Sequence, residues 1–157
     1  MQRNQVSVSL RTVGIVLGFI LSGCSTALPV AGLFDHKTEQ CNRLIEVANR
    51  AVVEVQAVTR SSNPRDVAAM SKIANITDQT AATMQSLNIR DEQLHRFRDR
   101  FVKMYTDTSQ ATRSLASARN QHNNTSAQQA YSALQTATNQ EGTLVTEINT
   151  YCRGGGR

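Results

Sequence analysis

The sequence has few of the residues that interrupt helices or build aromatic cores. Its 157 residues include no Trp, two Pro and eight Gly, and only 4% are aromatic. A core of large rings is therefore excluded, and aliphatic side chains and Ala must supply it. Because Pro occurs only as Pro29 and Pro64, long uninterrupted helices are allowed, whereas runs of the residues that favour strands are few. Hydrophobic residues still make up 39%, which argues against a disordered chain.

The charge balance is weakly positive, and the common catalytic motifs are missing. The formal net charge is +5, but Arg3 and Arg11 precede residue 24, which leaves 15 basic against 12 acidic residues. Nucleic-acid binding usually needs clustered positive charge, so we expect no nucleic-acid partner. The sequence has no Gly-rich phosphate loop, haem-attachment motif, H-E-x-x-H or G-x-S-x-G. We therefore expect a protein that is not an enzyme and has no catalytic residue and no cofactor.

Residues 1–23 have the pattern of an export signal. Basic residues and no acid accompany the apolar run Val13–Gly23, which is shorter than the ~20 residues that a membrane-spanning helix needs. The run ends in Leu21-Ser22-Gly23-Cys24, which resembles the lipobox of bacterial lipoproteins. This resemblance implies cleavage before Cys24 and diacylglycerol on its sulfur. Together with a further acyl chain on the new amino terminus, such a lipid gives stable membrane anchoring.

The remainder of the chain divides into a tether, one domain and a short tail. Residues 24–36 contain Pro29 and Gly32 and show no periodicity, which predicts a lipid-attached tether. Residues 37–153 carry the periodicity of a domain, and residues 154–157 form a flexible tail. We expect the domain to be exported and anchored at the periplasmic face of the cell envelope, or in the thylakoid lumen if the host is a cyanobacterium.

Four segments from Lys37 onward place apolar residues three and four positions apart. This period is typical of helices that pack at the shallow angle of a left-handed bundle. Short polar breaks separate the segments, and Asn63 and Asp91 are the predicted N-caps of the second and third helices. The fold class is therefore all-α, and we expect an antiparallel, up-down-up-down four-helix bundle. The predicted core stripes are Cys41, Leu44, Ile45, Ala48, Val52, Val55 and Val58; Val67, Met70, Ala74, Thr77, Ala81, Met84 and Leu87; Leu94, Phe97, Phe101, Met104, Thr108, Ala111, Leu115 and Ala118; and Ala127, Ala130, Leu134, Ala137, Glu141, Leu144, Ile148 and Tyr151.

The other two cysteines lie near the two ends of this domain. Cys41 is near the start of the first predicted helix and Cys152 at the end of the fourth. An up-down bundle brings these two points to the same end, and export places them in a compartment that permits disulfides. We therefore predict a Cys41–Cys152 disulfide. Two free buried thiols are the alternative, and a metal site would need more ligands than these.

The third predicted helix carries two polar patterns with candidate functions. Glu92 and His95 form the Glu-x-x-His half of a di-iron site, but the sequence has no second copy, so we expect no metal. Arg96, Arg100 and Lys103 share one face of the helix. A solvated face with local ion pairs is one interpretation. Contact with anionic lipid headgroups or an acidic partner protein is the other.

The segments EQCNRLIEVANRAVVEVQ, DEQLHRFRDRFVKMYTDTS and EINTYCRG resemble a group of uncharacterised cyanobacterial lipoproteins over most of residues 37–154. The resemblance implies a small helical lipoprotein and no particular activity. The leading hypothesis is a lipid-anchored, non-enzymatic module that binds an envelope or lumenal protein. The alternative is a bundle that carries a metal or an amphiphile in its core, where Thr77, Thr108 and Glu141 are the polar positions of interest.

Overall fold

The computed structural model describes residues 35–63 and 66–154, and these residues form four α-helices. They are α1 (Asp35–Ser61), α2 (Val67–Ser86), α3 (Glu92–Asn120) and α4 (Asn124–Arg153). No strand occurs in these ranges, so the predicted all-α class and four-helix bundle are confirmed. None of the described helices is long and apolar enough to cross a membrane. The predicted signal peptide, Cys24 and most of the predicted tether and tail lie outside the described residues.

Side-chain caps fix where α2 and α3 begin. Asp91 Oδ1 accepts a hydrogen bond from Leu94 N at 2.9 Å, which confirms the predicted N-cap of α3. The predicted cap of α2 at Asn63 is wrong, because the N-cap is Asp66, whose side chain accepts from Ala68 N at 2.9 Å. The Asn63 carbonyl instead accepts from Asp66 N at 2.8 Å. The helix α2 therefore begins three residues later than predicted.

The helices α1 and α4 both begin earlier than the apolar pattern predicts. α1 begins at Asp35, inside the predicted tether. α4 begins at Asn124 because Asn123 caps it, accepting from Ser126 N at 3.0 Å. Only residues 121–123 then connect α3 to α4, and His122 has a left-handed backbone angle, φ 52°. A connection this short keeps the end of α3 beside the start of α4.

Packing in the bundle is centred on α3. All the residues of its predicted stripe are buried, from Leu94 at one end to Ala118 at the other. α2 and α4 each pack extensively on α3, whereas α1 packs chiefly on α2. Burial of a Leu, Met or Phe side chain contributes roughly 1.5–3 kcal/mol each, so the apolar face of α3 supplies the largest shared part of the core.

The buried apolar residues form two clusters of unequal composition. The larger one draws on all four helices, with Leu44 from α1, Met84 from α2, Phe101 from α3 and Leu144 from α4. It therefore contains most of the large side chains that are almost completely buried. The smaller one is built from α2, α3 and α4. Its buried members are Met70, Leu115, Ala116 and Ala130.

The second half of α1 takes little part in this core. Ala51 is buried in the larger cluster, but no later residue of α1 belongs to either cluster. Val52, Val55 and Val58 are half-buried, and the side chain of Val53 is 64% exposed. The predicted stripe of α1 is therefore buried mainly in the first half of the helix, where the three other helices also contribute.

A disulfide joins α1 to α4. The Sγ atoms of Cys41 and Cys152 are 2.12 Å apart and the two Cα atoms 6.0 Å apart, which confirms the predicted pair. Cys41 is 2% exposed, so the link lies within the larger cluster. α1 and α4 otherwise contact each other little. The covalent bond is therefore the main direct connection between the first and the last helix.

We expect the double variant Cys41→Ser with Cys152→Ser to unfold at a markedly lower urea concentration than the wild type. The two residues are 111 positions apart, and the chain-entropy model gives about 4–5 kcal/mol for a loop of this length. Equilibrium denaturation of the full chain measures the difference. The Cys24→Ser variant is the control, because it loses a thiol and keeps the pair. Equal midpoints for the wild type and the double variant would contradict the prediction.

Candidate functional site

One end of the bundle brings together the start of α1, the connection between α2 and α3, and the end of α4. We call it the disulfide end, because Cys41 and Cys152 lie there. It is also the end at which the described chain begins, and Cys24 precedes it in sequence. Each of the polar contacts described next joins two or three of these segments.

Gln40 connects α1 to the segment before α3. Its side chain is almost fully buried, and its Oε1 accepts from Arg90 N at 2.5 Å and from Asp91 N at 3.0 Å. These backbone groups precede α3, where the helix supplies no carbonyl to accept from them. A buried N–H without an acceptor is costly. Gln40 therefore gives both N–H groups an acceptor and fixes the position of this turn against α1.

Asp91 connects the start of α3 to the end of α4. Besides capping α3, its carboxylate accepts from the Tyr151 hydroxyl at 2.9 and 3.0 Å. The ring of Tyr151 meets the Phe97 ring edge to face, with centroids 5.9 Å apart. Lys37 Nζ lies 3.7 Å from the centroid of the same Tyr151 ring. One aromatic side chain on α4 thus contacts both α1 and α3.

The surroundings of Tyr151 stabilise its neutral form. Burial, followed by its hydrogen bond to Asp91 and the charge of that carboxylate, raises the pKa of Tyr151 above the usual phenol value. The hydroxyl therefore stays protonated at neutral pH and can donate to the carboxylate. This keeps the bond between α3 and α4 in place over the neutral range.

The three cations predicted to share one face of α3 all have acidic partners. Arg96 pairs with Glu92 at 2.5 Å and Lys103 with Asp107 at 2.7 Å, both within α3. The partner of Arg100 is Glu147 on α4, and this pair connects the two helices. The arrangement matches the interpretation as a solvated face with local ion pairs. Contact with an anionic surface would have to compete with those carboxylates.

The Glu-x-x-His pattern of α3 is not part of a metal-ligand cluster. His95 Nδ1 lies 3.2 Å from Asp99 Oδ2, and His95 Nε2 lies 2.7 Å from the Arg98 guanidinium. Glu92 is paired with Arg96 instead. Among the side chains that the structure describes, in residues 37–63 and 66–154, no group of three or more His, Cys, Asp or Glu is placed to hold a metal ion.

The polar side chains in the core differ in whether they have hydrogen-bond partners. Thr77 and Thr108 are buried, and their hydroxyls donate to the carbonyls of Ala74 at 3.0 Å and Met104 at 2.8 Å in the preceding turns. Each hydroxyl group thus already donates its hydrogen bond within its own helix. These two threonines therefore leave no buried donor for a ligand.

Tyr105 and Glu141 differ from the threonines. Tyr105 is 5% exposed, and its hydroxyl has no hydrogen-bond partner among the described residues. Glu141 is half-buried on α4, and burial raises its pKa. Burial and then the charge of Glu141 raise the pKa of Tyr105 as well. A buried phenol near a carboxylate is the one polar feature of the described core that is not satisfied locally.

A groove lies elsewhere, between α3 and α4. It has a volume of about 680 Å³ and is lined mainly by small side chains such as Ala111, Ser126 and Ala137, together with Asp107. Neither Tyr105 nor Glu141 lines it. The groove and the unsatisfied phenol therefore do not form one site.

Sequence reasoning found Cys41, Cys152 and Asp91 but missed Gln40 and Lys37. The spacing could have indicated Gln40, which lies four residues before buried Leu44 and so continues the stripe of α1. Its contact with the segment before α3 could not be read from sequence, since the two are about 50 residues apart.

Comparison with protein-family models, curated proteins and solved structures found no match to this chain.

We expect the Tyr151→Phe variant to lose about 1–2 kcal/mol of folding free energy, because it removes a half-buried hydrogen bond to a carboxylate. Tyr131→Phe is the matched control on the same helix. Its hydroxyl accepts only a long bond from Gln135 at 3.4 Å, so its loss should change stability by less than about 0.5 kcal/mol. Urea denaturation at neutral pH measures both. Equal losses for the two variants would contradict the role assigned to Tyr151.

We expect the Glu141→Gln variant to be more stable than the wild type at neutral pH. A raised carboxyl pKa means that the folded state holds the proton more tightly, so stability falls as the pH rises through the window above the ordinary value. The neutral amide removes this loss, and the difference should vanish in acid. Thermal unfolding at a series of pH values measures it.

The Glu147→Gln variant provides the matched control on α4. The hydrogen bond from Arg100 lowers the pKa of Glu147, so its ionised form favours folding and its replacement should not stabilise the protein. A stabilising effect of the same size from both variants would show that general loss of negative charge, and not burial of Glu141, is the cause.

Proposed function

We propose that the chain is a lipid-anchored, non-enzymatic helical module that binds another protein of the cell envelope or of the thylakoid lumen. The observation that carries the proposal is Leu21-Ser22-Gly23-Cys24 behind a basic flank and a short apolar run. Cleavage before Cys24 and lipid on its sulfur follow from that pattern. The export that it implies agrees with the presence of a disulfide between the two remaining cysteines.

The proposal includes helices that alternate in direction after a signal peptide. Contacts support the alternation, because residue numbers rise along one helix while they fall along its neighbour. Between α2 and α3, Ser109 donates to the Ala74 carbonyl at 3.1 Å and Arg98 to the Leu87 carbonyl at 3.3 Å. The corresponding pairs between α3 and α4 are Asp91 with Tyr151 and Arg100 with Glu147.

A role in protein binding is supported by the second half of α1, which the other helices cover least. The second half of α1 leaves Val53 largely exposed and three other valines only half-buried. The groove between α3 and α4 offers a second surface of small residues. Apolar surface that a folded domain leaves uncovered often marks an interaction site. Both surfaces lie on helices and need no rearrangement of the core.

We expect the protein purified from its native membranes to lack residues 1–23 and to carry acyl chains on Cys24. Intact-mass and amino-terminal peptide mass spectrometry test this directly. Cys24→Ser should leave the domain folded and the chain without acyl groups, because the thiol that accepts the lipid is gone. An unmodified Cys24 in the membrane-bound protein would overturn the lipoprotein proposal.

We also expect crosslinking of the lipidated form in native membranes to capture a stoichiometric partner protein.

A second candidate function is the binding of a small polar ligand or amphiphile in the core. The observation that favours it is the buried Tyr105 hydroxyl, which has no partner in the described residues and lies near Glu141. Native mass spectrometry and metal analysis of the purified protein separate the two functions. A stoichiometric ligand that is lost in Tyr105→Phe would favour the carrier, whereas a ligand-free protein with a crosslinked partner would favour the interaction module.

A further inference from the structure

The disulfide end carries three cations without an acidic partner, on three different segments. Lys37 lies in the first turn of α1, Arg90 in the connection before α3, and Arg153 at the end of α4. Among the side chains that the structure describes, in residues 37–63 and 66–154, none of the three takes part in an ion pair, whereas Arg96, at the same end, does. The aromatic ring under Lys37 attracts its ammonium but does not neutralise it.

The contacts of the disulfide end hold these three cations near one another. Gln40 on α1 accepts from the backbone N–H of Arg90, which places the start of α1 beside that connection. Cys152, next to Arg153, is bonded to Cys41 on α1. Lys37 lies over Tyr151, two residues before Arg153. The three cations therefore lie together at one end of the bundle, on three different segments, and not along one face of a single helix.

Two of the described carboxylates of this end are paired with other cations, because Glu39 pairs with Arg43 and Glu92 with Arg96. Asp91 caps α3 and accepts from the Tyr151 hydroxyl, and it keeps its negative charge. The described side chains of this end therefore carry an excess of positive charge. A surface with such an excess attracts an external anionic one.

The length of the preceding chain identifies where that external surface lies. The ten residues between Cys24 and Asp35 can span at most about 40 Å when fully extended. α4 has 30 residues and is therefore about 45 Å long. A lipid on Cys24 thus limits how far the disulfide end can lie from the membrane surface, and the opposite end of the bundle is a whole helix length away from the disulfide end.

We propose that Lys37, Arg90 and Arg153 form a surface that docks the disulfide end on anionic lipid headgroups of the membrane to which the chain is anchored. This inference rests on the proposed lipid attachment at Cys24. Each Lys or Arg near an anionic leaflet strengthens attachment on the order of fivefold, and the effect is screened by salt. Docking orients the bundle end-on, so that the second half of α1 points away from the membrane.

The lysines of this chain provide an internal test. The chain has only three, which are Lys37 at the disulfide end, Lys103 in the middle of α3 and Lys72 in α2 toward the opposite end. The lipidated full-length protein is reconstituted in vesicles of phosphatidylcholine, or with about a third of the lipid replaced by phosphatidylglycerol. Acylation of each lysine by a water-soluble ester is then followed by mass spectrometry.

We expect anionic vesicles to slow acylation of Lys37 on the order of fivefold relative to neutral vesicles, with Lys72 unchanged. High salt should abolish the difference. The double variant Arg90→Gln with Arg153→Gln should show much weaker protection of Lys37. Arg60→Gln with Arg119→Gln is the matched control, because it removes two exposed or half-exposed cations that have no acidic partner in the described structure.

Several outcomes would overturn the inference. Equal protection on neutral and anionic vesicles, or equal protection of Lys37 and Lys72, would exclude end-on docking on anionic lipid. Protection of Lys37 in native membranes but in neither type of vesicle would assign the surface to an acidic protein instead. Failure of the underlying lipid proposal is distinguishable, because the intact mass of the reconstituted protein shows whether Cys24 carries acyl chains before any lysine is acylated.

Discussion

Burial of one face of α3 is the constraint on which the rest of the bundle depends. The face is continuous from Leu94 to Ala118, and both α2 and α4 pack along it. α1 has no comparable surface on α3 and reaches the core mainly through α2 and the disulfide end. The structure is therefore a firmly packed set of three helices, to which the first helix is attached most strongly at the end where it begins.

The disulfide end compensates for this uneven packing with several kinds of interaction. A covalent bond joins Cys41 to Cys152, the Gln40 side chain holds the turn before α3, and the Asp91 carboxylate receives the Tyr151 hydroxyl. The hydrogen bonds also satisfy polar groups that helix ends leave without partners. Loss of one interaction leaves the others in place, so this end should remain ordered under conditions that loosen the opposite end of α1.

Much of this architecture could be predicted from the sequence, because the signals were local or periodic. The alternation of three- and four-residue steps in α3 predicted every buried position of its stripe, and the position of Asp91 predicted its cap. The pairing of the two cysteines followed from the helix count. The exposure of Val53 and the half-burial of its apolar neighbours did not follow, because periodicity shows which side of a helix is apolar but not whether another helix covers it.

The wrongly predicted cap of α2 and the contacts that the sequence did not predict have a related cause. Asn63 and Asp66 are both good caps, and which of them begins α2 depends on a turn that the local sequence does not fix. Likewise, the pairing of Arg100 with Glu147 joins residues 47 positions apart on two helices. Their relative rotation is set by the whole core. Interpretation of the α3 cations from sequence therefore left two alternatives, because the partner of Arg100 becomes visible only in the packed structure.

The bond between the first and the last helix has a further consequence wherever the protein meets a protease. The connection between α1 and α2 includes the exposed residues Asn63 and Asp66, and cleavage there separates α1 from the remaining helices along the backbone. Because Cys41 is bonded to Cys152, the two fragments stay one covalent molecule, and the larger fragment keeps its link to everything that precedes α1. A cut in this connection therefore releases α1 from the other three helices only when the disulfide is also reduced.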